Sequence, residues 1–200
     1  DGYLNSLPPV MQTDRARIVK SNGGSVWVNL QEVDGTSTRT SMQITIDSDG
    51  KMSGQQMNNY KGQHATNVRR LYRTSKDSTE FIANHEKNKG LKIINYTGKG
   101  LDEFSPAIQE VITFEKQARK RGELLLINPM MTPLVKKSIF TQAERKMPIE
   151  LPYTFQHVLQ VNITMPDGYV VDEIPQSAKL TTKDGKLIML YYIRQQGNQI

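Results

Sequence analysis

Three histidines, His64, His85 and His157, are the residues of this chain best suited to proton transfer or metal ligation, and they lie far apart in sequence. Cysteine is absent, which removes disulfides, zinc-thiolate sites and a thiol nucleophile. A serine hydrolase needs a nucleophile, a base and an orienting group brought together, and no Gly-x-Ser-x-Gly elbow occurs. None of the histidines stands at ligand spacing from a carboxylate on a helical face, so no metal site is expected. His85 reads as a packing residue of a short helix, and His157 as the carrier of an interdomain hydrogen bond. Asp47-Ser48-Asp49-Gly50 has the look of a calcium-loop opening, but Asn58 stands where a bidentate glutamate would close the loop. A capped hairpin turn is expected there instead. Asp102-Glu103 and Asp172-Glu173 are adjacent pairs, whose side chains point to opposite faces of a strand and form no acid–base couple. Gly98-Lys99-Gly100 lacks the helix pattern that would follow a phosphate loop and reads as a strand-to-loop turn. No catalytic residue, metal ligand or cofactor is assigned, and the chain is not expected to be an enzyme.

The elements that must carry these residues follow a period of two. Turn signals fall at Asn22-Gly23-Gly24, Asp34-Gly35, Asp49-Gly50, Asp167-Gly168 and Asp184-Gly185. Strands are expected over 15–20, 25–31, 40–46 and 51–60, forming an antiparallel meander with one dry and one wet face. The polar segment 51–60 is placed outward. One helix is expected over about 76–88, because Ser75, Asp77 and Ser78 can cap it, Glu80 sits in its first turn, and Lys87 and Lys89 precede Gly90. Phe81, Ile82 and His85 form its narrow buried stripe. Further strands are expected over 91–96, 107–116 and 122–127, the last of them central because Leu124 to Ile127 is continuously apolar. The fold class is mainly β, an antiparallel sheet domain with one short helix followed by a small β-sandwich-like unit.

Two Pro-rich stretches, 128–133 and 147–152, bracket the expected boundary, because proline cannot donate inside a sheet. The units are taken as 1–135 and 145–200. In the second, the strand from Phe155 to Met165 alternates apolar and polar residues, a segment from Tyr169 to Ile174 follows, and 180–192 forms a hairpin. These few strands fall short of a full sandwich. Either further strands follow Ile200, or the unit completes its sheet against the first.

The balance is basic, with 26 Lys and Arg against 20 Asp and Glu, but the excess is shared between both halves. The clusters Arg69, Arg70, Arg73, Lys76 and Lys116, Arg119, Lys120, Arg121 are not interleaved with stacking aromatics, so nucleic acid is not expected. They read as a solvated strand end and a solvated turn. No stretch approaches the roughly 20 apolar residues of a membrane span. Asp1-Gly2-Tyr3 has neither an initiator Met nor a signal pattern, so the chain is expected to begin within a longer protein or after a processing site.

Several stretches together resemble one bacterial architecture. Leu4-Asn5-Ser6-Leu7-Pro8-Pro9 with Arg15-Ala16-Arg17-Ile18-Val19 looks like the exit from a transglutaminase-like domain of envelope proteins. Ile46 to Gly54 and Gly122 to Pro129 are similar to segments that follow there. Arg145 to Tyr153, continuing into Met165 to Pro175, looks like the uncharacterised C-terminal domain of such proteins. The resemblance implies a periplasmic, envelope or secreted location and an accessory role beside an upstream transglutaminase-like domain, whose catalytic residues would lie outside this chain. A structural and interaction module is therefore the leading expectation. A binding module for an envelope glycan or peptide is the alternative, with Trp27, Tyr60, Tyr72 and Tyr153 as candidate contacts. For Trp27, mid-strand, core packing is the expected place.

Overall fold

In the computed structural model, residues 7–8, 11, 14–30, 35–102, 105–131, 141, 144, 151 and 153–200 are described. In chain order they form β1 (Arg15–Val19), β2 (Ser25–Asn29), β3 (Thr36–Ile46), β4 (Lys51–Lys61), α1 (Gln63–Thr74), α2 (Ser78–Lys89), β5 (Lys92–Lys99), β6 (Ala107–Gln117), β7 (Arg119–Arg121), β8 (Leu124–Leu126), β9 (Phe155–Thr164), β10 (Ala178–Thr181) and β11 (Ile188–Tyr191). The chain is mainly β.

A five-stranded sheet of order β5-β6-β4-β3-β9 organises the rest. Its four strands from the first part of the chain pair antiparallel, as the hairpin signals require, while β9 adds to β3 in parallel, from Thr36↔Phe155 to Thr45↔Thr164. Alternation divides the faces. Met42, Ile44, Ile46, Met52, Ile112, Phe114 and Ile163 point to one side and are buried there, with Leu125, Ile127, Met131 and Ile200 packed against them. Gln43, Thr45, Ser53, Gln55, Gln109 and Gln160 point to the other side and stay exposed. Burying about seven large side chains at roughly 1.5–3 kcal/mol each makes this face the main stabilising layer.

Helices α1 and α2 cover the far half of the buried face, α1 over β3, β4 and β6 and α2 against β5. Residues Ala65, Leu101 and Ile108, with Val68, Tyr72 and Tyr96 around them, form a second small core there. The start of α2 is the expected one: the Asp77 carboxylate accepts from the Glu80 amide at 2.9 Å. Its end is also as expected, with Gly90 left-handed at φ 60 and its amide donating to the Glu86 carbonyl.

Several expectations are corrected. Where one helix was expected there are two, and the basic cluster read as a strand end lies on α1 and the turn after it. The segment 51–60, placed outward, is the central strand β4, with Met52, Gln56 and Asn58 buried. The apolar run placed centrally in the sheet instead forms β8, which among the described residues pairs with β7 in a separate ribbon, with Leu124 and Leu126 about half exposed. Exposed Arg119 to Arg121 on β7 explain why: a strand so charged cannot be covered without stripping water from three guanidinium and ammonium groups. Tyr169 to Ile174 forms no strand. Of the two alternatives left for the second unit, pairing with the first is the one seen for its strand β9, which joins the five-stranded sheet, while the hairpin β10–β11 forms a two-stranded ribbon. Most of the Pro-rich boundary, from 132 to 152, lies outside the described residues.

The Asp47 turn is the capped hairpin expected: its Oδ1 accepts from the amides of Asp49 and Lys51 at 3.0 and 2.8 Å. Gly50 at φ 78 closes the turn. Gly98 stays within β5 and Gly100, at φ 81, begins the following turn.

Candidate functional site

Register places Thr40, Asn58, Glu110 and Gly98 in one row across the buried face of β3, β4, β6 and β5. A hydrogen-bond chain runs along that row. The Thr40 hydroxyl and the Gln56 amide donate to Asn58 Oδ1 at 2.9 and 2.7 Å, and Asn58 Nδ2 donates to Glu110 Oε2 at 3.1 Å. The carboxylate collects three more bonds: from the Tyr60 hydroxyl at 2.8 Å, the Tyr96 hydroxyl at 2.9 Å and His85 Nε2 at 2.8 Å. Each oxygen thus accepts two donors, which is the capacity of a buried carboxylate.

The electrostatics of this centre are set by a contest. Burial opposes ionisation of Glu110, but the His85 hydrogen bond and the charge of Lys89 outweigh it, bringing the carboxyl down to about 2. Burial and the charge of Glu110 push Tyr60 and Tyr96 well above the ordinary phenol range, so both keep their protons and donate. Burial lowers Lys89, against which the Glu110 charge acts. Phe81 packs edge to face on Tyr96 and Tyr72 at 5.4 and 5.2 Å and lies tilted against His85 at 4.7 Å, beside the carboxylate's partners. Close by, the fully buried Arg69 donates from one guanidinium nitrogen to the carbonyls of Gly100 and Ser105 at 3.0 and 2.8 Å, pinning the β5–β6 connection to α1. A carboxylate beside an imidazole has the chemical types of an acid–base pair, but here both oxygens are saturated and no substrate atom can reach them. The chemistry of the row is cohesion.

A second constellation lies at the open side of the sheet. His64, at the start of α1, faces the Thr38 hydroxyl, with Nδ1 2.8 Å from it. His157 stands opposite Thr38 on β9, and its ring centroid is 4.7 Å from that of His64. Phe155 and Tyr153 complete the group at 6.1 and 6.4 Å from His64. Burial, and then the neighbouring His157, lower His64 to about 4, and burial lowers His157 as well. Two tilted imidazoles in contact beside the exposed Phe155 ring suit contact with a polypeptide or a ring. Two nitrogen ligands alone do not make a metal centre, and among the described residues no group of three or more metal-ligating side chains gathers.

The residues singled out in the sequence are dispersed. Trp27, expected in the core, is 60% exposed on β2, with the guanidinium groups of Arg15 and Arg17 at 5.6 and 5.9 Å from its ring. Tyr60 turns its hydroxyl inward to Glu110, and Tyr72 packs on Phe81. Tyr153 alone of the four joins the histidine pair. His85 is the buried packing residue expected of it, while His157 meets an imidazole rather than an assigned hydrogen-bond partner. Lys116 of the second basic cluster donates to the Met131 carbonyl at 3.1 Å. Glu110 escaped notice in the sequence, although a signal was there: it occupies an inward position between Ile108 and Ile112 in an otherwise apolar alternation.

Among the described residues no helix is long and apolar enough to cross a membrane. Neither a curated protein nor a solved structure matches the chain. Residues 123–200, from the β7–β8 turn through β11 to the end, match the family described as a domain of unknown function with solved-structure structure (DUF3858), so this part of the chain is similar to an uncharacterised domain.

Proposed function

We propose that this chain is a non-catalytic interaction module, an accessory region that follows a transglutaminase-like domain in a bacterial envelope protein. The observation that carries the reading is the contrast between its best acid–base group and its exposed surface. Glu110 and His85 are sealed in the interior with every carboxylate lone pair occupied. Large apolar side chains, by contrast, lie open on β9 and on the ribbons: Phe155, Val158 and Leu159 on the first, Leu180, Ile188, Met189 and Leu190 on β10–β11. Apolar side chains left open on strands suit contact with another chain. The β10–β11 ribbon adds to the argument, because a two-stranded hairpin exposed on both faces is marginal without a partner. The resemblance of the Leu4–Val19 stretch to the exit from a transglutaminase-like domain supports the accessory role and the envelope location.

The test is a pull-down with this chain as bait, offering the separately expressed upstream region of the parent protein and isolated envelope glycan. Saturable binding of the upstream region is the expected result. A second reading, binding of an envelope glycan or peptide, is favoured by one feature, the exposed Trp27 ring flanked by Arg15 and Arg17. Glycan binding that Trp27→Ala removes without unfolding the chain would replace the first reading with the second.

A further inference from the structure

We propose that the outer edge of β9 is a strand-addition site, taking an extended polypeptide segment that runs antiparallel to it with apolar side chains at alternate positions. The inference rests on the interaction-module reading and names the kind of partner. Among the described residues, β9 pairs with β3 along one side, and on the other side only its end is engaged. There the Ile163 amide donates to the Ile200 carbonyl at 2.8 Å, the Ile200 amide donates to the Ile163 carbonyl at 2.9 Å, and the Met165 amide donates to the Asn198 carbonyl at 2.8 Å. Asn198 to Ile200 is therefore a short antiparallel strand already seated on this edge. It fixes which backbone groups point outward: those of Ile163 and Met165, and by alternation those of Phe155, His157, Leu159 and Val161.

It also fixes the side-chain pattern. Ile200 sits opposite Ile163 and packs into the main core. A strand continuing the pairing along the edge would set alternate residues opposite Val161, Leu159 and His157 on that same face, where apolar groups would cover the half-exposed Leu159 and the His64–His157 stack. The residues between them would face water with Gln160 and Gln156. The edge itself carries no deterrent. Phe155 to Thr164 contains no charged residue and no proline, and its pairing with β3 runs without a register shift. Lysines, prolines and bulges are the devices that keep exposed edges from pairing, and their absence over ten residues marks an edge that is meant to be paired. A second copy's β9 would bring its own Asn198–Ile200 segment along the same line, which shortens the edge both copies can share. A separate segment meets no such obstruction.

The experiment titrates the whole chain against a labelled synthetic peptide alternating Val and Thr, by fluorescence anisotropy and by amide chemical shifts. Saturable binding is expected, with shifts centred on His157, Leu159 and Val161. Leu159→Pro removes an outward donor while sparing the bonds to β3, and should weaken binding about tenfold; Leu159→Ala, which keeps the donor, should weaken it less. Should Leu159→Pro disturb the fold, the wild-type chain with a peptide N-methylated along its pairing edge makes the same test, and loss of binding is expected. Absence of saturable binding, binding indifferent to both changes, or concentration-dependent dimerisation that Leu159→Pro abolishes while the peptide fails to bind would each overturn the proposal. Retained capture of the upstream region in any of those cases would leave the interaction-module reading standing.

Discussion

The two edges of the five-stranded sheet are built on opposite principles. At one, β5 begins and ends with Lys92 and Lys99, carries a bulge between Ile93 and Asn95, and lies under α2, whose Glu86 carboxylate takes the Ile93 amide at 2.7 Å. One strand inward, Glu110 ties β6 to β4, β5 and α2 in a single network. At the other edge, β9 has no charge and no register shift, and it exposes Phe155, Val158 and Leu159. A sheet must end somewhere, and an end is made safe either by charge, distortion and cover or by a partner. The β5 side has the first kind of protection. The difference teaches that one flank of the sheet is closed by charge, distortion and cover while the other keeps an uncharged, unbulged edge.

The largest effect should come from the anchored flank. Glu110→Ala leaves Asn58, Tyr60, Tyr96 and His85 facing a void where their shared acceptor stood, and should cost about 3–5 kcal/mol in denaturant unfolding. A loss below about 1 kcal/mol would mean that this flank is not held by its network. Next comes the seam between the flanks. Gln160→Pro deletes a donor that alternation turns toward β3 and should cost about 3 kcal/mol, whereas Leu159→Pro, one position away, should cost well under half as much. Equal costs would erase the distinction between an open and a paired side of β9.

Acid should separate the flanks by pH. His64, lowered to about 4 in the folded chain from an ordinary 6.5, binds a proton more readily unfolded than folded. Its stabilising contribution is complete above about pH 6.5 and is lost as the pH falls toward 4, and for a ring only partly buried it amounts to about 1 kcal/mol. Glu110, lowered from 4.5 to about 2, contributes above pH 4.5 and loses that contribution between there and 2. Melting curves across pH should therefore show two steps, and His64→Gln should shrink the upper one, to which His157 also contributes, and leave the lower one unchanged. The smallest effect is expected of Gln160→Lys, which places a charge on the wet face of the open edge. Stability should stay within about 0.5 kcal/mol of the parent, while peptide pairing measured by anisotropy should fall.

What could be read in the sequence was whatever is enforced locally. Helix α2 announced itself because Asp77, Glu80 and Gly90 act on their own neighbours. Helix α1 did not: its start at Gly62 has no side-chain cap and its first turn holds no acid. Its inward stripe is interrupted by Arg69, a residue type that is almost never fully buried unless paired. The guanidinium's acceptors, the carbonyls of Gly100 and Ser105, are remote in sequence and have no signature there. Strand β4 was misplaced for a related reason, since Gln56 and Asn58 are polar yet inward: Asn58 is satisfied across the sheet by Glu110 and Thr40, and Gln56 donates to Asn58. Alternation gave β9 as a half-buried strand but could name neither its neighbour nor the parallel direction, because period two is blind to both. The His64–His157 pair depends wholly on that hidden neighbour.

The parallel seam between β3 and β9 also orders events in time. Strands β3 to β6 and both helices are contiguous in the chain, so they can close their hairpins and their buried row soon after leaving the ribosome. Strand β9 is made much later and must return to an edge that has waited uncovered beside β3. Its arrival is expected to be a late docking step, because its contacts with β3 span more than a hundred residues of chain. By the same logic, β9 is the strand most readily peeled away again, and its amides should exchange with solvent before those of β4 and β6 do.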